Sequence, residues 1–348
     1  MIDDLIREWD GEYVVVRYDR PTEAWMFVAI HSTRLGTALG GTRMKVYDAP
    51  EDGLRDAQRL AAGMTYKWAG IDFPQGGGKA VIALSQPIEG VERERLLERY
   101  GELVESLRGQ FGTGLDLGIS PDDILVIARK TKYVHGAKTD GPGDPGPWTA
   151  LGVFTGMKAA AAELFGSDDL KGRTVLIQGV GDVGVPLARL LAEAGATLKL
   201  SDLDTERAKG LASELGAAVV DGVAIYKEPC DIFAPCAVGG ILNAETIAKL
   251  RCRAVAGSAN NQLEAAEDAE RLHERGILYA PDFIINAGGA IALNGVESQG
   301  MSEEEAREMT LGIGSALMKM FEEARERNES PVLAAEREAR RVLERGAA

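Results

Sequence analysis

The stretch TVLIQGVGDVG, Thr174 to Gly184, decides the fold. Thr174 to Gln178 is a short apolar, β-branched run, and Gly179, Gly181 and Gly184 follow as G-x-G-x-x-G. A helix-like segment, VPLARLLAEAG, opens near Val183, and a second apolar run, Thr197 to Ser201, ends just before Asp202. A glycine hexapeptide is weak alone in a chain with 42 glycines. Between a strand and a helix, with an acid 18 residues after Gly184, it points to a dinucleotide. Gly179 permits the tight turn, Gly181 lets backbone approach the diphosphate, and Gly184 lets helix and strand pack. The helix N-terminus offers unpaired N–H groups to the anion. Asp202 is expected to accept from the adenosine ribose hydroxyls and to repel a 2′-phosphate. No arginine directly follows it in SDLD, which favours NAD over NADP. A carboxylate at Asp182 suits a diphosphate poorly, so its side chain is expected to turn away and cap the helix.

Outward from this unit, apolar runs at Asp231 to Ala234, Ala254 to Ala256 and Ile277 to Ala280 alternate with helical segments. That alternation implies an α/β fold with a doubly wound parallel sheet. Upstream, Tyr13 to Tyr18 and Trp25 to His31 are strand-like, and Pro50 to Lys67 is helical. A glycine loop and a strand, Ala80 to Leu84, come next, then a charged helix, Val91 to Arg108. Glycine and proline dominate Thr139 to Pro147, the best place for a domain boundary. Ser302 to Arg345 reads as two charged amphipathic helices split near Glu329-Ser330-Pro331. The expected divisions are 1–140, 141–325 and a C-terminal helix, 326–348, that packs back on the hinge or the first domain.

The formal net charge of −15 argues against a nucleic-acid or anionic-membrane partner, since both are polyanions. Cys230, Cys236 and Cys252 have neither disulfide nor zinc spacing, so no metal is expected. The acidic N-terminus, MIDDLIREWDG, lacks a signal-peptide pattern, and no apolar run approaches a membrane span, so a cytoplasmic location is expected.

Two lysines stand out. Lys67 closes Met64-Thr65-Tyr66-Lys67, and Lys79 follows Gly76-Gly77-Gly78. Three glycines place backbone close to something and leave Lys79 uncrowded. Two ammonium groups facing each other, partly desolvated, lower each other's pKa toward neutrality, where a lysine serves as a base.

At these residues the chain resembles the glutamate/leucine/phenylalanine/valine dehydrogenase family, nearest its leucine–phenylalanine branch. The matching blocks are Ala38–Met44 (ALGGTRM), Met64–Lys67, Gly76–Lys79, Gly179–Gly184, Phe233–Ala237 (FAPCA), Gly257–Gln262 (GSANNQ) and Pro281–Gly289 (PDFIINAGG), in family order over nearly the whole chain. The resemblance implies an N-terminal domain for catalysis and oligomerisation and a Rossmann-type NAD domain, separated by a cleft. It implies that Lys67 grips the substrate α-carboxylate and Lys79 activates water as general base. Asp116 shuttles protons with the substrate nitrogen, and Gly40 and Gly41 admit the substrate backbone. Thr149 and Ala237 line the nicotinamide side and Asn261 lies near both ligands. Val180, Asp182, Val183, Cys236 and Ala259 complete the cofactor surface within these blocks.

Relatives acting on glutamate resemble one another in having a lysine where this chain has Leu39, which cannot pair a second carboxylate. The expected apolar pocket comprises Leu39, Met64, Gly114, Ala290 and Leu293. Leucine enzymes tend to have alanine at the position of Gly114 and valine at that of Leu293, so aliphatic and aromatic substrates both stay open. The implied reaction is NAD-dependent oxidative deamination of an apolar L-amino acid to the 2-oxo acid and ammonia, and its reverse, by a homo-oligomer. Two other readings are an NAD oxidoreductase of another small acid and a catalytically silent NAD-binding protein. The shortage of histidine and the Lys67, Lys79 and Asp116 set speak against them. Trp148, in Gly146-Pro147-Trp148-Thr149, either stacks near the nicotinamide or fills the hinge.

Overall fold

A computed structural model describes residues 2–136 and 141–346. Thr139 and Asp140, at the start of the Gly/Pro stretch, lie outside the described residues. The chain forms two compact units: Met1–Gly141 with Ala339–Ala348, and Pro142–Glu338.

The first unit runs α1 (Ile2–Arg7), β1 (Tyr13–Asp19), β2 (Ala24–Ser32), β3 (Ala38–Leu39), β4 (Thr42–Val46), α2 (Pro50–Gly70), β5 (Gly76–Leu84), α3 (Gly90–Ser106), β6 (Phe111–Gly112) and α4 (Pro121–Ala128). Its sheet has the order β1-β2-β5-β3-β6, and β4 also pairs with β5. β3 and β4 lie along one edge of β5, opposite Gly76–Gly77 and Ala80–Leu84, with Gly40-Gly41 between them. Strand side chains alternate between faces. Met26, Val28 and Ile30 join Ala80, Ile82 and Leu84 in a core with α3 and α4 residues, while Phe27, Ala29, Val81 and Ala83 pack with Leu54, Ala57 and Ala61 of α2. Lys79 shares the odd parity of Val81 and Ala83, and Arg43 alternates with Met44 of the opposite core. Both therefore belong to the α2 face.

The glycine loop expected before Lys79 is instead the first third of β5, and all nine β5 residues are buried. Glycine is needed there for close packing. A Cβ on Gly77 would lie 2.0 Å from Thr65 Oγ1, and one on Gly76 would lie 2.4 Å from the carbonyl oxygens of Ser32 and Gly36.

The second unit begins with α5 (Pro145–Phe165), then β7 (Thr174–Gln178), α6 (Gly184–Glu193), β8 (Thr197–Ser201), α7 (Thr205–Leu215) and β9 (Ala218–Val219). It continues through β10 (Ile232–Pro235), α8 (Ala244–Lys249), β11 (Ala254–Val255), α9 (Glu267–Glu274), β12 (Leu278–Tyr279), α10 (Asp282–Ile285), α11 (Gly288–Ser298), α12 (Glu303–Arg327) and α13 (Pro331–Arg345), the last of which runs into the residues grouped with the first unit. All pairings in its sheet, β12-β11-β10-β7-β8-β9, are parallel. The chain runs outward from β7 to β9 and then crosses to β10 on the other side. β7 and β10 therefore flank the topological switch point, where open α/β sheets bind ligands. The two units divide within the Gly/Pro stretch, whose end starts a helix: α5 opens at Pro145 with Asp144 as N-cap, accepting from Gly146 N–H at 2.8 Å. Proline suits a first turn because its missing N–H would have no helical partner there.

Candidate active site

In the first unit, β3, β4, β5, α2 and the turn after β6 carry the predicted residues Leu39, Gly40, Gly41, Met64, Lys67, Lys79, Gly114 and Asp116. Lys79 Nζ donates to Asp116 Oδ1 at 2.6 Å, with the two side chains only 6% and 17% exposed. Gly40 and Gly41 are pinched by the chain's own backbone: a Cβ would meet the Gly78 carbonyl oxygen at 1.9 Å and the Leu115 carbonyl oxygen at 2.2 Å. Met64 reaches toward Gly40, and Leu39 packs over Gly112 with the Trp68 indole donating to its carbonyl at 3.4 Å. Lys67 is half-buried one turn after Met64 on α2, so the two share a helix face. Gly114 has room, since a Cβ would meet nothing nearer than the His135 carbonyl oxygen at 3.5 Å.

The electrostatic setting includes a cation given no role from sequence. Arg43 lies beside Lys79, and its Nε donates to the other Asp116 oxygen at 2.9 Å. Burial pushes the Lys79 ammonium below its ordinary range and Arg43 adds to this, together outweighing the opposing pull of Asp116. Burial raises the Asp116 carboxyl, but Lys79 and Arg43 overcome it and hold the group down at about 2. Arg43 lies within the ALGGTRM block. A charged residue alternating toward a buried face of a strand is the signal that could have marked it.

In the second unit, the predicted cofactor residues follow the carboxyl ends of β7, β8, β10 and β11. Gly179 has φ +95°, a conformation that side chains disfavour. A Cβ on Gly184 would sit 2.0 Å from the Gly179 carbonyl oxygen, whereas one on Gly181 meets nothing within 4 Å. Space beside Gly181 and close packing at Gly184 are what a bound diphosphate requires. Asp182 does not cap α6: the N-cap is Val183, no side chain serves it, and Asp182 is exposed. The N-terminal end of α6 is thus left without a side-chain cap. Val180 is buried and its N–H donates to Asp202 Oδ2 at 2.8 Å. Ala237 backs Gly179, and Cys236 is half-buried.

Asp202 also accepts from Asp204 N–H at 2.8 Å and from Arg207 Nη2 at 2.9 Å. An arginine thus does reach Asp202, from the first turn of α7, which inspection of adjacent positions missed. Burial raises the Asp202 carboxyl, and these three donors together hold it below its ordinary value.

The GSANNQ turn is braced by residues given no role from sequence. Gln262 donates to the carbonyls of Gly257 and Ala259 at 2.9 and 3.0 Å, and Asn286 donates to Ser258 O and Asn260 Oδ1 at 3.1 and 2.8 Å. They fix the buried Ala259 and hold Asn261 at φ +51°. Ala290 and Leu293 are half-buried, three residues apart on α11. Thr149 Oγ1 donates to Pro145 O at 2.9 Å, and the Trp148 indole donates to Pro142 O at 3.1 Å, tying it to the segment before α5. Among the described residues, no cluster of three or more His, Cys, Asp or Glu side chains could hold a metal, and no helix is long and apolar enough to cross a membrane.

Residues 19–137 match the family model for the Glu/Leu/Phe/Val dehydrogenase dimerisation domain, and residues 199–345 match the model for glutamate/leucine/phenylalanine/valine dehydrogenase. The chain belongs to the glutamate/leucine/phenylalanine/valine dehydrogenase family. It is similar to leucine dehydrogenase of Thermoactinomyces intermedius, 41% identical over 98% of this chain and 93% of that protein. L-tryptophan dehydrogenase of Nostoc punctiforme is 44% identical over 93% of this chain and 90% of that protein. The crystal structure of L-tryptophan dehydrogenase from Nostoc punctiforme superposes with a TM-score of 0.86, at 41% identity, covering 99% and 98% of the two chains. A glutamate dehydrogenase structure from Thermus thermophilus, 22% identical with a TM-score of 0.75 over 97% and 89%, shares the fold. As a member of the Glu/Leu/Phe/Val dehydrogenases, the chain is an amino acid dehydrogenase of a family that uses NAD or NADP.

Proposed function

We propose that this enzyme oxidatively deaminates an L-amino acid with an apolar side chain, using NAD, and runs the reverse reductive amination. The observation that carries the reading is the buried Lys79–Asp116 pair, 2.6 Å apart, on the glycine-rich start of β5. The dinucleotide, when bound, supplies the acceptor for the hydride that leaves the substrate Cα. Lys67 pairs with the α-carboxylate. Asp116, ionised over the whole working pH range, takes a proton from the substrate nitrogen. Lys79, with its ammonium destabilised by burial, deprotonates the water that adds to the imine carbon. Leu39, 3% exposed, gives the side-chain end an apolar wall where a second carboxylate would be left unpaired. This disfavours glutamate and admits leucine, phenylalanine or tryptophan.

NAD over NADP follows from Asp202. Its carboxylate is held in place by two backbone N–H groups, ready for ribose hydroxyls, and it pairs with Arg207, a cation that could otherwise greet a 2′-phosphate. The match to a dimerisation domain supports a homo-oligomer built through the first unit.

The test is NADH and NADPH formation with leucine, valine, phenylalanine, tryptophan and glutamate, for the wild type and Lys79→Ala. Turnover of apolar amino acids with NAD, lost in Lys79→Ala by a factor of about 10³ or more, is expected. Activity confined to glutamate, or undiminished in Lys79→Ala, refutes the reading.

A further inference from the structure

Asp116 is gripped from two sides, and the second grip is itself anchored. Lys79 of β5 takes Oδ1, while Arg43 of β4 takes Oδ2 through Nε at 2.9 Å. Arg43 then extends Nη1 to Asp56 Oδ2 of α2 at 3.0 Å. The same Asp56 oxygen accepts the Tyr47 hydroxyl at 2.7 Å, and the other accepts Arg59 Nη2 at 2.9 Å. Arg43 is 15% exposed, and its two carboxylate partners are 17% and 13% exposed. These ion pairs are mostly shielded from water, and the planar guanidinium spans both acids with its geometry fixed at each end.

We propose that Arg43, anchored by Asp56, which Tyr47 holds in turn, is a positioning residue that orients the Asp116 carboxylate toward Lys79 and sets the pH range in which this pair moves protons. The proposal rests on the reading of Lys79 and Asp116 as the proton-transfer pair. A carboxylate bound by Lys79 alone could rotate about its Cβ–Cγ bond. Bonding Oδ2 to a fixed Nε–H removes that freedom and leaves Oδ1 directed at the amine. Arginine suits the task because it neither gives up nor accepts a proton at working pH, so it biases the pair without competing in the transfer. Its charge acts on both partners in the same sense, since a nearby cation lowers the proton affinity of carboxylate and amine alike. Asp56 partly offsets the effect on Lys79, and Arg59 and Tyr47 in turn engage Asp56.

The sign follows directly. Deamination needs Asp116 ionised and Lys79 neutral, so activity falls as pH falls through the higher of the two pKa values, that of Lys79. Removing the cation raises both values, and the acid limb of kcat/KM moves to higher pH. For Arg43→Met we expect that limb to move up by about one pH unit, with kcat on the plateau falling about 10- to 100-fold from lost orientation. Arg43→Lys keeps the charge but not the fork. Its limb should stay near the wild-type position while kcat falls. Tyr47→Phe, which frees one end of the clamp, should lower kcat several-fold with the limb unmoved.

An Arg43→Met enzyme with the wild-type acid limb overturns the proposal, even if its rate or melting temperature drops. If that variant does not fold, Arg43→Lys decides: wild-type kcat there overturns the proposal, and a reduced kcat at an unmoved limb supports it. Asp116→Asn separates the two layers. Wild-type turnover in Asp116→Asn defeats the proton-transfer reading itself. An inactive Asp116→Asn combined with an unmoved limb in Arg43→Met defeats the positioning role alone.

Discussion

One methyl group decides how wide the proposed side-chain pocket is at Gly114. A Cβ there would lie 3.5 Å from the His135 carbonyl oxygen and 3.8 Å from its Cβ, ordinary contact distances, so Gly114→Ala fits without moving its neighbours. We expect an unchanged melting temperature and a shift of preference from aromatic to aliphatic amino acids by about tenfold in the kcat/KM ratio, read by NADH formation with tryptophan and leucine. An unaltered ratio would place Gly114 outside the pocket. Gly77 behaves oppositely. Its Cβ would lie 2.0 Å from Thr65 Oγ1 and 2.3 Å from Thr65 N, in a helix that carries Met64 and Lys67. Gly77→Ala should destabilise the protein by about 1–3 kcal/mol in urea titration and lower activity, because α2 must shift to make room. At this scale the sequence marks Lys67 and Lys79 as candidates through the blocks around them, and Asp116 through the family resemblance alone. Arg43 was on the page but without a partner, since its bonds span 73 residues to Asp116 and 13 to Asp56. Arg207 is local to Asp202, five residues on, but it reaches the carboxylate only because the turn from β8 into α7 folds it back.

The strand–glycine–helix element around β7 and α6 is where sequence and structure agree most closely, because every signal in it is local. Its three glycines have three separable duties, and two of them can be tested against each other. Gly184→Ala places a methyl 2.0 Å from the Gly179 carbonyl oxygen and must pry α6 from the turn. Gly181→Ala meets nothing within 4 Å in the free protein. Both should weaken NADH binding by about tenfold or more in a fluorescence titration, since each disturbs the diphosphate seat. Only Gly184→Ala should also lower the melting temperature. Gly181→Ala with wild-type affinity would show that the open space there is not used by the dinucleotide. Elements held by distant partners were less legible. β3 and β6 have two residues each: β3 exists because its backbone pairs with β5 and β6, and β6 because it pairs with β3. The glycines of β5 read as a loop because strand propensity is low for glycine. What fixes them as strand is the flanking backbone, with β2 antiparallel on one side and β3 and β4 parallel on the other.

At the scale of the whole chain, the first unit is not finished by its own first 136 residues. Residues 339–348 group with it, and Ala339 and Val342, both buried, form a cluster with Leu35 and Ala69 against which Tyr66 and Leu343 pack. No periodicity near the N-terminus could reveal a wall supplied some 270 positions later, although the amphipathic pattern of α13 signalled that it needed a surface to cover. The position of this cluster gives it functional weight. Tyr66 precedes Lys67, and Ala69 lies half a turn beyond it on α2, so the packing of α13 residues helps set the part of the helix from which Lys67 projects. Val342→Asp, which places a charge at a site 5% exposed, should cost about 2–4 kcal/mol in urea titration. The kinetic signature should be specific: a higher KM for the amino acid through a loosened Lys67, with the affinity for NADH held near wild type because the β7–α6 element lies in the other unit. Val342→Ala removes the same packing without adding charge and should show the same pattern more weakly. Equal losses of amino acid and dinucleotide affinity in both variants would mean that the C-terminal helix stabilises the chain as a whole, with no preferential hold on α2.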